Sequence, residues 1–362
     1  MAHVLVSPLN WGLGHATRDI PVIRTMLAHG HEVTIAGCGG SLSALKQEFP
    51  DCRSVELPDY PVPYSSGSLF IPKFCASFPF MFHGMVQEHS ALEKILSRER
   101  YDLVISDNRL GVFSNKVPSL FVSHQLHYHM PLVYWPAEIL AIPVNRFFHE
   151  RYDRIVVPDN PPGPLSLAGK LSRPDTQLAW ERIFFSGILT DTRQIACTQD
   201  LDYLAVISGP EPQRTYLENI LLEKMDEIRG TGVALLGNPK TPDLIKRVGN
   251  WVCKSYVSTE EKAELMNRAK CVICRSGYTT LMELAELGKN RALLIPTPGQ
   301  TEQEYLSWYY KQKGWYHSQE QGRIDLAADL EMTRHYRGFP KMPKTAENIK
   351  KLYDDLLAGY LE

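Results

Sequence analysis

Segment 10–18 (NWGLGHATR) has residue types that suit proton transfer beside a bound ligand. Gly12 and Gly14 allow a ligand to approach the backbone. The helix that follows presents unpaired N–H groups and partial positive charge to an anion or a hydroxyl. A neutral His15 imidazole can accept a proton from that hydroxyl. The alternative is that His15 only caps or orients the loop.

The same loop is incomplete as a dinucleotide-binding motif. Thr17 stands where the G-x-G-x-x-G pattern has its third glycine. A dinucleotide site also needs a carboxylate after the second strand to bind the ribose. Residues 36–40 read AGCGG at that point, so the sequence argues against a dehydrogenase.

Two strand-to-helix turns in the second half of the chain suit a phosphate group. Ser208 and Gly209 follow one predicted strand, although taken alone this is an ordinary loop. Ser276 and Gly277 begin a predicted helix, where exposed N–H groups can bind a diphosphate. Glu283 lies inside that helix. Its carboxylate only accepts hydrogen bonds, so it can bind two adjacent ribose hydroxyls, and the alternative is a solvated helix position.

The apolar pattern indicates which elements carry these loops. Runs typical of strands alternate with helical patterns in each half of the chain, and right-handed crossovers make such strands parallel. We therefore predict an α/β protein of the doubly wound type, with two Rossmann-like domains facing across a cleft. The predicted domains are 1–188 on the acceptor side and 189–344, with a C-terminal helix at 345–362 packing back on the first.

Composition and charge exclude other classes of protein. The 362 residues are 44% apolar, which excludes a disordered chain, and a net charge of -2 gives no attraction to nucleic acid. The seven cysteines are scattered and odd in number, and no segment has the roughly 18 apolar residues of a membrane span. We therefore expect reduced thiols and a cytoplasmic protein. Cys271 and Cys274 lie in a predicted strand, which argues against a zinc or redox role.

Segment 256–305 resembles the C-terminal domain of the lipid II-forming N-acetylglucosaminyltransferases of peptidoglycan synthesis. The shared features are C-R-S-G at 274–277, the helix with Glu283, and the run from Pro296 to Gln303 and Tyr305. That family has the GT-B fold, with the donor bound by the second domain. The resemblance implies a UDP-sugar donor such as UDP-N-acetylglucosamine, a lipid-linked or glycan acceptor, and no cofactor.

The resemblance also assigns roles by position. It implies a diphosphate site at the two turns with Arg275, ribose at Glu283, uracil at the Val257 backbone, and the sugar at Gln303 and Glu304. The full implied donor set is Ser208, Gly209, Val257, Arg275, Ser276, Gly277, Tyr278, Glu283, Gln303 and Glu304. The acceptor side is Gly12, Gly14, His15, His124 and Gln125. The chain departs from the family at Glu304, which replaces a glutamine, and at the 208–213 turn, and these departures leave the donor sugar and the acceptor open.

Residues 58–82 carry seven aromatic residues among five prolines. The sequence leaves two interpretations open. One is an apolar acceptor groove or peripheral contact with the inner face of the membrane. The other is packing on the first domain. The one basic residue of the stretch, Lys73, provides little attraction to anionic lipid.

These observations predict an inverting glycosyltransferase in which His15 or Asp107 takes the proton of the acceptor hydroxyl. One alternative is a UDP-sugar epimerase or hydrolase, which would turn over the donor without acceptor. Another is a non-catalytic subunit that only binds it. We also expect no metal requirement, because Asp200 and Asp202 precede a predicted strand whereas ligands bind at the carboxyl ends of strands.

Overall fold

The computed structural model describes residues 1–59, 70–127, 142–143, 145–174, 180–238 and 244–362, with the backbone alone at 70–76 and 78. In the aromatic stretch, Tyr60, Tyr64 and the side chains of Phe70, Phe74 and Phe78 therefore lie outside the described residues. The chain forms two compact units. Of the described residues, those within 1–59, 72–191 and 342–362 belong to the first unit, and those within 70–71 and 192–341 belong to the second.

The first unit is built on a seven-stranded parallel sheet. Its strands are β1 (His3–Pro8), β2 (Glu32–Gly37), β3 (Arg53–Glu56), β4 (Leu103–Asp107), β5 (Ser119–Val122), β6 (Arg154–Val157) and β7 (Ile183–Phe185). They lie in the order β3-β2-β1-β4-β5-β6-β7. The order therefore reverses between β1 and β4, which is where doubly wound sheets bind their ligands.

Helices cover both faces of this sheet because its strands are apolar on both sides. They include α1 (Leu13–Ala28), α2 (Gly39–Glu48) and α3 (Phe70–Leu96). Val4 and Val6 of β1 share a core with α1, and Leu5 shares another with Leu92 of α3. The last helical turns of the chain (Thr345–Leu352, Tyr353–Leu357 and Ala358–Leu361) add Leu352 to the α1 core.

The second unit contains a second sheet with the same kind of reversal. Its strands are β8 (Leu201–Val206), β9 (Gly232–Leu235), β10 (Ile245–Val248), β11 (Trp251–Lys254), β12 (Ala269–Cys274), β13 (Ala292–Leu294) and β14 (His317–Ser318). The order is β10-β11-β9-β8-β12-β13-β14. β10 is antiparallel to β11, and the other described pairs are parallel.

The helices of the second unit begin where its central strands end. They are α4 (Gln213–Met225), α5 (Thr259–Arg268), α6 (Tyr278–Glu286), α7 (Thr301–Gln312) and α8 (Leu326–Met332). β8, β12 and β13 lead into α4, α6 and α7 respectively. Three helix N-termini therefore follow three carboxyl strand ends, an arrangement that suits an anionic ligand.

These sheets confirm the predicted α/β class with two doubly wound sheets, and they also add elements that the sequence pattern did not indicate. Helix α2 starts in the glycine-rich segment, where Asn10 Oδ1 accepts a hydrogen bond of 3.1 Å from the Ser41 N–H in its first turn. The partner is 31 residues away in sequence, so no local signal marks this helix start. Helix α3 begins at Phe70 and continues through Pro79, whereas the pattern predicts a start near residue 83.

Candidate functional site

The carboxyl ends of β1 and β4 bring His15 and Asp107 together. After β1 the chain passes Gly12, whose φ of 130° few other residues adopt, and α1 begins with Gly14 in its first turn. Asp107 is the last residue of β4. His15 Nδ1 lies 2.8 Å from Asp107 Oδ1. The two residues predicted as alternative bases therefore form one pair.

A buried arginine that the sequence analysis did not single out binds the same carboxylate. Arg18 lies one turn after His15 in α1, and its Nε donates to Asp107 Oδ2 at 2.5 Å while its Nη2 donates to Oδ1. The Arg18 side chain is 2% exposed and that of Asp107 is fully buried. The same Nη2 also lies 2.9 Å from His15 Nδ1.

These contacts determine which nitrogen of His15 carries the proton. An ionised carboxylate only accepts hydrogen bonds, so an unprotonated Nδ1 would face Asp107 Oδ1 lone pair to lone pair. Arg18 Nη2, the other group beside Nδ1, already donates to Asp107 Oδ1 and does not need Nδ1 as an acceptor. We therefore assign the proton to Nδ1, which donates it to Asp107. His15 Nε2 then carries the lone pair of the neutral ring and can accept a proton.

Burial and neighbouring charges keep His15 neutral. Burial lowers the pKa of His15, Asp107 raises it, and Arg18 and His124 lower it again, with a net decrease. Burial raises the pKa of Asp107, but Arg18 and His15 outweigh this effect and hold it below its ordinary range. A second carboxyl group, Asp19, is also buried. Its burial and the Asp107 carboxylate raise its pKa well above the ordinary value, which disfavours a second negative charge beside Asp107.

The segment after β5 contributes one of its two predicted residues to this cluster. His124 is 8% exposed, and its Nδ1 lies 3.2 Å from Arg18 Nη1. Because a guanidinium only donates, His124 accepts with Nδ1 and carries its proton on Nε2. The described contact of Gln125 is made by its backbone, whose N–H donates to Ser123 Oγ at 3.1 Å.

In the second unit, Arg275 joins the turns that follow β8, β12 and β13. It directly follows β12, and its guanidinium donates to the backbone oxygens of Gln213 at 2.9 Å, Ile295 at 3.2 Å and Pro296 at 3.1 Å. Gln213 starts α4, and the other two residues follow β13. The residue predicted to contact a diphosphate therefore also holds three loops in place.

Arg275 is a buried cation without a counter-charge. It is 1% exposed, and within the part of the chain that the structure describes no carboxylate forms an ion pair with it. Burial lowers its pKa to about 10, so it is charged at neutral pH. Its Nε is buried and has no hydrogen-bond partner among the residues that the structure describes. A buried charge of this kind is costly until an anion compensates it.

Thr297 provides a second unsatisfied group at the same place. Its Oγ1 is buried and has no hydrogen-bond partner in the described part of the chain, and no pattern in the sequence marks this residue. A Cβ added to Gly209, the turn glycine after β8 with a φ of 119°, would lie 3.8 Å from this oxygen and 4.0 Å from Arg275 Nε. Gly209 and the neighbouring Ser208 are exposed. Buried polar atoms without partners are rare, so the space beside Gly209 suits oxygen atoms of a ligand.

The turn before α6 uses its serine for structure. Ser276 Oγ donates to the Gln303 carbonyl oxygen at 2.9 Å and accepts from Ser307 Oγ at 2.9 Å. The Ser276 hydroxyl is therefore bound to protein, and the backbone of Ser276 and Gly277 is what this turn can offer to a ligand. Tyr278, the first residue of α6, is 3% exposed.

The two predicted sugar-contacting residues lie at the start of α7. Gln303 Oε1 accepts from the Thr297 N–H at 2.9 Å. Its Nε2 lies 3.9 Å from where a Cβ on Gly277 would be, so the amide group reaches the turn before α6. Glu304 is exposed and accepts from the Gly299 N–H at 2.8 Å.

Glu283 is buried and paired, which excludes the solvated alternative. It is 5% exposed, and Lys262 Nζ of α5 lies 2.7 Å and 2.8 Å from its two oxygens. Thr192 Oγ1 donates to the same carboxylate at 3.4 Å. No pattern in the sequence marks Lys262 as a partner of Glu283. Val257, predicted to lie against the base, is half-buried in the loop between β11 and α5.

Asp200 and Asp202, the two acids of the D-x-D sequence, are paired with cations at the amino end of β8. Both Asp200 oxygens accept from Arg268 at 2.9 Å, and Asp202 accepts from Lys270 at 2.8 Å. Among the described residues, no group of three or more histidine, cysteine, aspartate or glutamate side chains is placed to hold a metal ion. Metal independence of the reaction stays a prediction.

Comparison with known families gives the site its chemical context. Residues 243–351 match the glycosyltransferase family 28 C-terminal domain, and this match identifies the chain as a glycosyltransferase. It does not single out the lipid II-forming enzymes. No curated protein matches the sequence.

Solved structures resemble the chain over its whole length. The glycotransferase of kitacinnamycin has a TM-score of 0.64 at 15% identity and covers 100% of this chain and 99% of its own. The spinosyn rhamnosyltransferase SpnG has a TM-score of 0.64 at 14% identity, with 98% and 96% covered. MurG of Acinetobacter baumannii has a TM-score of 0.61 at 9% identity, with 99% and 100% covered. At these identities the likeness establishes the GT-B fold.

The cluster around Asp107 leads to a stability prediction. Asp107→Asn leaves the Arg18 charge buried without compensation, so we expect the free energy of unfolding to fall by about 3–5 kcal/mol at pH 7. The control is Asp191→Asn, which breaks the more exposed Arg24–Asp191 pair and should lower it by at most about 1 kcal/mol. Urea unfolding monitored by tryptophan fluorescence measures both.

The difference in unfolding free energy between wild type and Asp107→Asn should depend on pH in one direction. The pKa of Asp107 is lower in the folded chain than in the unfolded chain, so its stabilising contribution is present above the unfolded value of about 3.9 and falls as the pH drops below it. The gap between wild type and Asp107→Asn should therefore narrow below about pH 4. Equal unfolding midpoints at pH 7 would contradict the assignment of Asp107 as the counter-charge of Arg18.

Proposed function

We propose that the protein transfers a sugar from a UDP-sugar to a hydroxyl group of an acceptor, with inversion at the anomeric carbon. The second unit binds the nucleoside diphosphate, and the first unit activates the acceptor. The acceptor oxygen forms a bond to the anomeric carbon as the bond to the diphosphate oxygen breaks. The acceptor proton passes to His15 Nε2, and the electron pair leaves with the diphosphate.

The observation that carries this proposal is the uncompensated charge of Arg275. A diphosphate beside Gly209 would supply the missing anion and would give Arg275 Nε and Thr297 Oγ1 the partners that they lack. The N-termini of α4 and α6 follow the same turns and favour negative charge there. As the leaving diphosphate gains charge during transfer, these groups stabilise the transition state more than the bound donor.

A threonine-to-valine change tests the diphosphate site. Thr297→Val removes a buried hydroxyl that has no partner, so the free energy of unfolding without ligand should stay the same or rise by up to about 1 kcal/mol. The affinity for UDP should fall by about 5–10-fold, because the hydroxyl finds its partner only in the complex. Chemical denaturation and isothermal titration calorimetry measure the two effects.

Thr333→Val is the matched control for this prediction. Thr333 is fully buried, and its Oγ1 already donates to the Leu330 carbonyl at 2.6 Å. Its loss should destabilise the fold by about 1 kcal/mol or more without affecting UDP affinity. UMP should also bind more weakly than UDP. Normal UDP binding by Thr297→Val would contradict the placement of the diphosphate beside Thr297.

The assignment of a ribonucleotide rests on Glu283 together with Lys262, and that of uracil rests on the family resemblance at the Val257 backbone. A carboxylate has about four acceptor positions, so Glu283 can bind Lys262 and still accept from ribose hydroxyls. Lys262 fixes the carboxylate in one orientation. One solved relative, SpnG, is described as complexed with thymidine diphosphate, which lacks the 2′-hydroxyl of UDP. The site must therefore distinguish a ribonucleoside diphosphate from a deoxyribonucleoside diphosphate.

Deoxyuridine diphosphate isolates the contribution of that hydroxyl. Wild type should bind UDP about tenfold more tightly than deoxyuridine diphosphate, because a hydrogen bond to a charged group contributes roughly 1.5–3 kcal/mol. Glu283→Gln should reduce this preference, whereas Glu286→Gln, one turn later in α6, should keep it. Calorimetry with the two nucleotides measures the ratio. Equal affinities in wild type would reject Glu283 as the ribose ligand.

Apolar side chains in the first unit favour an acceptor hydroxyl on an apolar carrier, such as a lipid. Phe80 is 71% exposed on α3, and Phe82 and Val86 are exposed on the same helix. Leu13, two residues before His15, is also exposed. Among the described residues, no helix is both long and apolar enough to cross a membrane. Contact of α3 with a membrane surface stays a prediction.

His15 is the residue through which transfer is tested. His15→Ala should lower kcat/KM for transfer at least about 100-fold, a typical share for general-base catalysis, with UDP affinity within about twofold of wild type. The control is His29→Ala, at the other end of α1. Near-normal transfer by His15→Ala would assign the base to another residue, and donor turnover without acceptor would favour a hydrolase or an epimerase.

A further inference from the structure

The contact between His15 and Asp107 favours protonation of the residue that is proposed to act as the base. In a buried site, an ionised carboxylate 2.8 Å from an imidazole favours the protonated form of the ring. A protonated His15 cannot accept the proton of the acceptor hydroxyl. Burial of the ring opposes this effect, and the balance of the two decides whether the base is already protonated when the substrate arrives.

Arg18 supplies the counter-charge that the pair needs. It contacts both oxygens of Asp107, through Nε and Nη2, and its side chain is 2% exposed. An arginine stays charged at any ordinary pH, so its ion pair with Asp107 is permanent. The charge of Asp107 is thus largely neutralised by Arg18, and less of it is available to hold a proton on His15.

The groups around His15 complete the charge balance. Arg18 and Asp19 come from α1, Asp107 from β4, and His124 from the segment after β5. Burial and the neighbouring Asp107 raise the pKa of Asp19 and so disfavour a second carboxylate charge, and His124 accepts from Arg18. Arg18 and Asp107 are therefore the ion pair of this cluster while His15 is neutral. When His15 receives the acceptor proton, Asp107 is in place to stabilise the imidazolium.

We propose that Arg18 is a positioning residue that neutralises Asp107 and so keeps His15 Nε2 unprotonated until the acceptor hydroxyl arrives. This inference rests on the proposed function, since it concerns the base of that reaction. It adds a residue and a mechanism to the His15–Asp107 pair. Asp107 orients the ring, and Arg18 sets how strongly Asp107 attracts the proton.

Histidine NMR titration tests the proposal without any substrate. Wild type, Arg18→Gln and Arg18→Lys are labelled with ¹³C and ¹⁵N histidine, and His15→Asn assigns the His15 signals. In wild type, His15 should titrate below the ordinary value of about 6.5, and its ¹⁵N shifts should report the proton on Nδ1. In Arg18→Gln, the His15 pKa should rise by about one unit or more. Arg18→Lys, which keeps the charge, should stay near wild type.

Each outcome supports or overturns the proposal. A folded Arg18→Gln protein with an unchanged His15 titration overturns it, even if transfer is lost, because Arg18 would then act only on structure. If Arg18→Gln does not fold, the wild-type titration can still overturn the proposal. A His15 pKa at or above the ordinary value overturns the proposal, and Arg18→Lys still tests whether the charge is what matters.

The pH profile of transfer separates this inference from the proposed function. Once an acceptor is known, the acid limb of kcat/KM should move to higher pH in Arg18→Gln by the same amount as the NMR titration, since His15 must be neutral to act. A shifted titration in a protein that transfers no sugar would contradict the proposed function. Normal transfer with an unshifted titration would contradict the role of Arg18.

Discussion

The balance of charge around two buried arginines is the constraint on which both candidate sites depend. Arg18 and Arg275 are each at most 2% exposed, and each lies beside the carboxyl ends of parallel strands. Arg18 has its counter-charge in Asp107, and this first site is electrically complete without a ligand. Arg275 is held by three backbone carbonyls and has no counter-charge among the described residues, so the second site is incomplete until an anion arrives.

This difference follows from what each site has to do. A base must hold its lone pair in one orientation before the acceptor hydroxyl arrives, so its environment is preorganised and fully paired. A site stabilises a leaving diphosphate most if its hydrogen-bond donors have no other partner. The bonds to the phosphate oxygens then form without breaking any bond within the protein. The unsatisfied Nε of Arg275 and Oγ1 of Thr297 reduce the stability of the unliganded protein. Under the proposed function, these two groups lower the stability of the unliganded protein but strengthen its binding of the diphosphate.

The sequence allowed the fold and the location of both sites to be predicted, but only part of their chemistry. Apolar periodicity locates strands such as β1 and β12, and the turns after them contain His15 and Ser276 within a few residues. Arg18, Lys262 and Thr297 were missed, since each acts through a partner distant in sequence. Arg18 binds a carboxylate 89 residues away, and Lys262 binds one 21 residues away. Periodicity reports which face of a helix is buried, not which charge it meets there.

The same limitation explains why Asp107 looked like a possible base. From the sequence, a carboxylate at the end of a central strand is a reasonable proton acceptor, because ligands gather at that edge. In the fold, Asp107 is fully buried and Arg18 occupies both of its oxygens, which lowers its pKa and its ability to accept a proton. Asp107 instead orients the His15 ring, since it accepts the hydrogen bond that keeps the proton on Nδ1. In the proposed mechanism, the residue that takes the proton and the residue that sets its affinity for the proton are therefore different. The strength of the base then depends on Arg18 in α1 as much as on the strand that carries Asp107.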